Sequence, residues 1–166
     1  MCLPTFKYHP NAYQLDIFSQ KDGICSVCHK IRSIKYDLPL YSQEEPEYIC
    51  PWCIADGSAA KKYHGQFNDD NSIDELPPEK LDELILKTPS YSSWQQEVWL
   101  THCNEPCAFI GYVGFAEIIP YFDEIKDDID YPEELLRTSL SKDGSLTGYL
   151  FECVQCGKKR LHIDCN

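Results

Sequence analysis

Ten cysteines in 166 residues, eight of them in close pairs, constrain this chain more than any other feature. The pairs are Cys25-x2-Cys28, Cys50-x2-Cys53, Cys103-x3-Cys107 and Cys153-x2-Cys156, with Cys2 and Cys165 alone near the ends. Such a set builds either a disulfide framework or metal and redox sites, and the compartment decides which. The opening MCLPTFKYHP has no basic start followed by an apolar run, so no secretory signal is expected. The longest apolar run, near Ala108–Phe115, is too short to span a bilayer. A cytoplasmic location is therefore expected, where thiols stay reduced and short cysteine spacings point to metal or redox chemistry.

A CxxC turn presents two thiolates on one side of a tight loop, and two such turns complete a tetrahedron around Zn²⁺. Cys25/Cys28 and Cys50/Cys53 are separated by 21 residues that read as strand, polar EEPE loop and strand, the layout of a zinc ribbon. The stretch ICPWCIADG also fits a glutaredoxin-like dithiol. That motif belongs on a strand-to-helix turn inside a βαβ pattern, and neither element is evident around Cys50. Metal is the preferred reading. Cys103, Cys107, Cys153 and Cys156 make the second expected site, with a 45-residue excursion between the pairs. His102, His162 and Cys165 are alternative ligands there. His9 and His64 have no cysteine neighbours and read as surface or capping residues. Four thiolates leave no open position for water, so both sites read as structural, with two Zn²⁺ per chain.

The expected fold class is α+β: two zinc-ribbon or zinc-knuckle-like units with short β-hairpins and interspersed helices. The expected divisions are a zinc unit over 1–68, an acidic linker with a short helix over 69–91, and a zinc-knuckle unit with a helical insertion over 92–166. Pro77-Pro78 starts a helix that Thr88-Pro89 ends. Ser92-Ser-Trp-Gln95 fits a capping box and predicts a further helix with Trp94 and Val98 on one face. AFIGYVG reads as a buried strand. Pro120 breaks the helical pattern running from Phe115 to Ile129 into short pieces. Glu133–Ser139 predicts one more helix, and GYLFEC-VQCG-KRLHID a knuckle hairpin.

No phosphate-cradling glycine loop, HExxH or GxSxG occurs, so no enzyme is expected. The formal charge is −12, from 27 acids against 15 Lys and Arg. That excess disfavours a nucleic-acid partner and suits a basic protein surface. The acids concentrate in Asp69, Asp70, Asp74 and Glu75, and again in Asp123, Glu124, Asp127 and Asp128. Trp94, Tyr121 and Tyr131 are candidate aromatic anchors, though each fits a core position better.

LPTFKYHPNAY, ICSVC, YICPWCIADGSAAKKY, SSWQQEVWLTHCNEPCAFIGYVG and GYLFECVQCGKKRLHIDC together resemble the CbrC family of small bacterial proteins. The resemblance spans nearly the whole chain and is weakest across Asp69–Leu86 and Ala116–Leu146. It implies a bacterial cytosolic zinc protein of colicin tolerance or immunity, with the eight paired cysteines as its matching positions and no catalytic residue to carry over. A non-catalytic scaffold whose acidic face covers a basic, nuclease-type toxin domain is the leading expectation. The alternatives are a nucleic-acid or transcription-associated zinc ribbon, drawing on Lys158-Lys159-Arg160 with Lys30, Arg32 and Lys35, and a CxxC thiol redox protein.

Overall fold

A computed structural model of the protein describes residues 2–73 and 75–166. The first element pair is an antiparallel hairpin of β1 (Phe18–Ile24) and β2 (Ile31–Tyr36), with Cys25–Cys28 at its tip. β1 was not anticipated. Its sequence FSQKDGI lacks clean alternation because the register shifts between Gln20 and Gly23, where a bulge absorbs polar residues. On β2, Ile34 and Tyr36 turn inward while Ile31 stays exposed. The predicted second strand of a ribbon does not form. Tyr48 and Ile49 lie in a loop that hydrogen-bonds to the hairpin, Ser26 N–H donating to the Tyr48 carbonyl and Tyr36 N–H to the Ile49 carbonyl.

Two short helices follow, α1 (Pro51–Ala55) and α2 (Ser58–Tyr63), divided by Gly57 at φ 75°. Only glycine enters that left-handed turn without strain. They close a first core that includes Phe6, Ile17, Tyr36, Leu40, Ile54 and Phe67. Helix α3 (Pro78–Lys87) starts and stops where its prolines and threonine predict. Asn68 fastens its end by donating to the carbonyls of Leu84 and Thr88, both at 2.9 Å.

The expected helix at Ser92 is absent, and residues 92–100 run as an irregular segment. The N–H groups that a helix start leaves for a cap are taken by other parts of the chain. Ser92 N–H reaches the Tyr112 hydroxyl, Trp94 N–H the Tyr149 hydroxyl, and Gln95 N–H an Asp164 carboxylate oxygen. Tertiary partners thus override a local capping signal. Trp99, not Trp94, is the buried tryptophan; Trp94 is exposed.

The tiny hairpin β3 (Thr101–His102) and β4 (Glu105–Pro106) leads into an antiparallel sheet of β5 (Ala108–Val113), β6 (Leu146–Glu152) and β7 (Lys159–Cys165), with β6 central. Alternation along β6 sorts its faces. Tyr149 and Phe151 join Phe109, Tyr91, Trp99 and Tyr8 in an aromatic core. Leu150 joins Val113 and Leu161 beneath the excursion, which contributes Ile118, Ile125 and Leu136. That excursion is broken as Pro120 demands: α4 (Phe115–Ile118), a 3-10 turn, α5 (Phe122–Ile125), another 3-10 turn, then α6 (Glu133–Ser139). Among the described residues, no helix is long and apolar enough to cross a membrane.

Tyr8 and His9 of the N-terminal segment and Leu84 and Tyr91 of the expected linker all pack near or in the aromatic core. His9 is not at the surface: it is fully buried, its Nδ1 3.0 Å from the Pro89 carbonyl and its ring edge-on to Phe109. Burial pushes its pKa down to about 4, against the weaker opposite pull of the Pro89 hydrogen bond. The unfolded chain therefore takes up this proton first as pH falls. The contribution of neutral His9 is complete above about pH 6.5 and is lost as pH falls toward 4, a loss on the order of 3 kcal/mol. His9→Gln should lower stability at pH 7 yet lose less between pH 7 and pH 5 than the parent, read by thermal unfolding of both proteins in matched buffers.

Candidate metal centres

The first centre joins a knuckle to a helix start. The Cys25 N–H donates to the Lys30 carbonyl and the His29 N–H to the Cys25 carbonyl, curling the hairpin tip so that Cys25 and Cys28 face one point. His29 holds the left-handed turn at φ 56°. Opposite, Cys50 is the N-cap of α1 and Cys53 lies in its first turn, with Pro51 at the first helical position. The Cys-Pro step was a readable helix-start signal, since proline there loses no hydrogen bond. The sulfur separations are 3.9 Å for Cys25–Cys53, 4.0 Å for Cys28–Cys50 and 3.5 Å for Cys50–Cys53. A tetrahedron with metal–sulfur bonds of about 2.3 Å has edges of roughly 3.8 Å. The four sulfurs fit it.

Electrostatics agree. The hydrogen bond from Cys50 is the main cause holding Cys25 down to about 4, while Cys50 itself is pushed far up by sharing its proton. Burial raises Cys53 to about 11. Without a cation, one thiolate is stabilised by protonated neighbours; a divalent ion makes full ionisation of the set favourable. The Arg32 guanidinium stacks on Trp52 at 4.3 Å and hydrogen-bonds to the sulfurs of Cys28 and Cys50, offsetting the negative charge of a tetrathiolate.

The second centre repeats the knuckle. The Cys153 N–H donates to the Lys158 carbonyl and the Gly157 N–H to the Cys153 carbonyl, with Gly157 at φ 75° where the first knuckle has His29. Its other half is the β3–β4 hairpin, whose two-residue turn places Cys103 and Asn104 at φ 53° and 55°. That is the turn type tight hairpins prefer, although cysteine rarely occupies it. His102, Cys103, Cys153 and Cys156 bring their donor atoms within 4.8 Å of one another. Cys103 and Cys156 sulfurs are 3.8 Å apart, and the His102 Nδ1 lies 3.2 Å and 3.4 Å from them.

In this grouping His102 stands where Cys107 was expected. Cys107 is fully buried and packs into the aromatic core as β5 begins. Its N–H donates to the Leu100 carbonyl and its own carbonyl accepts the Trp99 indole N–H at 2.8 Å. Burial raises its thiol to about 12, which suits an apolar packing role. The clue in the sequence was the His102-Cys103 step at the hairpin tip. His162 and Cys165 lie on β7 outside both groups.

Glu105 braces this centre from behind. It is almost fully buried, pairs with Lys7, and accepts from Tyr8 at 3.1 Å, Lys80 at 3.3 Å and Gln155 at 2.7 Å. Burial alone would raise its carboxyl, but Lys7, Gln155, Lys80 and Tyr8 together hold it down to about 2. Gln155 also donates to the Cys103 carbonyl and Lys80 to that of Asn104, so one carboxylate ties knuckle, hairpin, N-terminal segment and α3 together.

The acidic candidates divide by role. Asp128 accepts the Arg160 guanidinium at 2.8 Å and the Leu161 N–H, and Glu124 accepts the Lys159 N–H, so both hold the excursion on β7. Asp123 and Asp127 are exposed, as are Asp70 and Glu75. Asp69 accepts from Asn71. Asp74 lies outside the described residues. In the basic cluster, Lys159 pairs with Glu152 and Arg160 with Asp128.

Comparison with known sequences places this arrangement in a family. A sequence model of the uncharacterised protein family UPF0167 matches residues 3–165. The chain belongs to UPF0167. It is similar to a UPF0167 protein of Mycobacterium bovis, 36% identical over 175 residues that cover 98% of this chain and 93% of the relative. A UPF0167 protein of Pseudomonas aeruginosa is 34% identical over 173 residues, covering 98% and 97% respectively. No solved structure matches the chain. The UPF0167 description names no activity, ligand or partner.

Substitution separates the two assignments at the second centre. His102→Ala should lower tightly held metal toward one ion per chain, whereas Cys107→Ala should keep the parent metal content and cost roughly 1 kcal/mol through a small cavity. Metal analysis after dialysis, with urea unfolding alongside, reads both.

Proposed function

We propose that this is a non-catalytic zinc protein whose two centres hold a rigid scaffold for binding a basic protein partner. The observation that carries the metal half is the convergence of four donors at each of two places, at separations a tetrahedral ion requires. Zinc suits sets of four thiolates and of three thiolates with an imidazole, and neither set leaves a position for water or substrate. The second centre thus takes zinc through His102, Cys103, Cys153 and Cys156. A free CxxC dithiol is disfavoured because each pair is met by further ligands.

The partner half rests on charge. The chain carries −12, and the excursion presents Asp123, Asp127, Asp130 and Glu134 outward, held in place by the Asp128–Arg160 pair. Tyr121 and Tyr131, half-buried at its edge, supply aromatic area beside the acids. A basic, nuclease-type toxin domain is the partner class that both this surface and the CbrC resemblance support, in a cytoplasmic setting. A nucleic-acid role is weaker, since Lys159 and Arg160 are committed to internal pairs.

Triple reversal of Asp123, Asp127 and Glu134 to Lys should weaken binding to a basic toxin domain encoded beside the gene at least tenfold. Raising salt from about 50 to 300 mM should weaken the parent similarly. Calorimetry showing an affinity indifferent to both would remove the electrostatic reading.

A further inference from the structure

The two centres differ in exposure. In the first, Cys25, Cys50 and Cys53 are buried and Cys28 is half-buried; in the second, Cys103 and Cys156 are exposed and only Cys153 is buried. The two exposed thiols belong to different loops, 53 positions apart, yet their sulfurs lie 3.8 Å from each other. They are not partners within one CxxC. Cys103 caps a hairpin whose strands are two residues each, and Cys156 sits on the turn of the knuckle. A disulfide bond of about 2.05 Å would form on approach of the two surface turns.

We propose that Cys103 and Cys156 form a reversible oxidation site for hydrogen peroxide, and that its oxidation expels the metal ion of the second centre while the first keeps its own. The inference deepens the zinc reading and rests on it. One thiolate attacks a peroxide oxygen; the O–O bond breaks, hydroxide leaves, and a sulfenic acid forms. The second thiolate attacks that sulfur, forming S–S as S–O breaks and a second hydroxide departs. Two protons from solvent turn both hydroxides to water. The sulfurs give up two electrons to the peroxide, and Zn²⁺ leaves without changing oxidation state. His102 and Cys153 alone then remain, half of a tetrahedral set. The first centre is spared because exposure as well as thiolate character governs oxidation.

The test uses the full chain with Cys2→Ser and Cys165→Ser, loaded with zinc and treated with hydrogen peroxide. Zinc release is followed by a chromogenic chelator, thiols by titration and linkage by peptide mapping. The expected result is release of one zinc of two, loss of two thiols, a Cys103–Cys156 link, and restoration by dithiothreitol with added zinc. Adding Cys107→Ser should change none of this. Equal loss from both centres, oxidation with both zincs retained, resistance to peroxide, or a link other than Cys103–Cys156 would overturn the inference while leaving two-zinc binding intact. A Cys103–Cys156 link in a chain that never held a second zinc would instead sink the metal reading of that centre, and metal release with it.

Discussion

Donor atoms, seven sulfurs and one imidazole nitrogen, gathered in two groups within 4.8 Å set the terms for the rest of this structure. Four thiolates that close repel strongly, and four thiols that close satisfy few hydrogen bonds; a divalent cation resolves both problems at once. The backbone is shaped to make the gathering possible. Two knuckles with the same hydrogen-bond pattern each offer a pair of donors, and each is met by something short and rigid: the first turn of α1 in one case, the β3–β4 hairpin in the other. Arg32 on one side and the Glu105 hub on the other then tie each centre to its surroundings.

Much of this was legible in the residues, and the failures share one cause. Helix α3, the strands β5, β6 and β7, helix α6 and the broken excursion follow from proline punctuation and apolar alternation, which are local signals. The segment at Ser92 carried a good local signal too, but its N–H groups are bound by Tyr112, Tyr149 and Asp164, residues up to 69 positions away. β1 was hidden because a bulge breaks its period. Spacing does not reveal direction at Cys107: the chain enters the aromatic core one residue after the hairpin closes, and the thiol is buried with it. His9 shows the same limit, a histidine without cysteine neighbours that is buried against Phe109 and not at the surface.

The fold also explains why charge distribution and metal sites are separable. The excursion between β5 and β6 carries its apolar side chains under the sheet and its acids outward, so the acidic surface depends on Leu150, Leu161 and their neighbours for support. The metal ligands stand at other points of the same chain. The two halves of the proposed function therefore fail independently.

The most direct measurement of the central claim is X-ray absorption at the zinc edge on protein whose metal content has been determined. Two ions sharing seven sulfurs and one imidazole nitrogen predict an average shell of 3.5 sulfur and 0.5 nitrogen neighbours per zinc, at about 2.3 and 2.0–2.1 Å. An all-sulfur shell, an oxygen from water, or a single ion per chain would contradict the account.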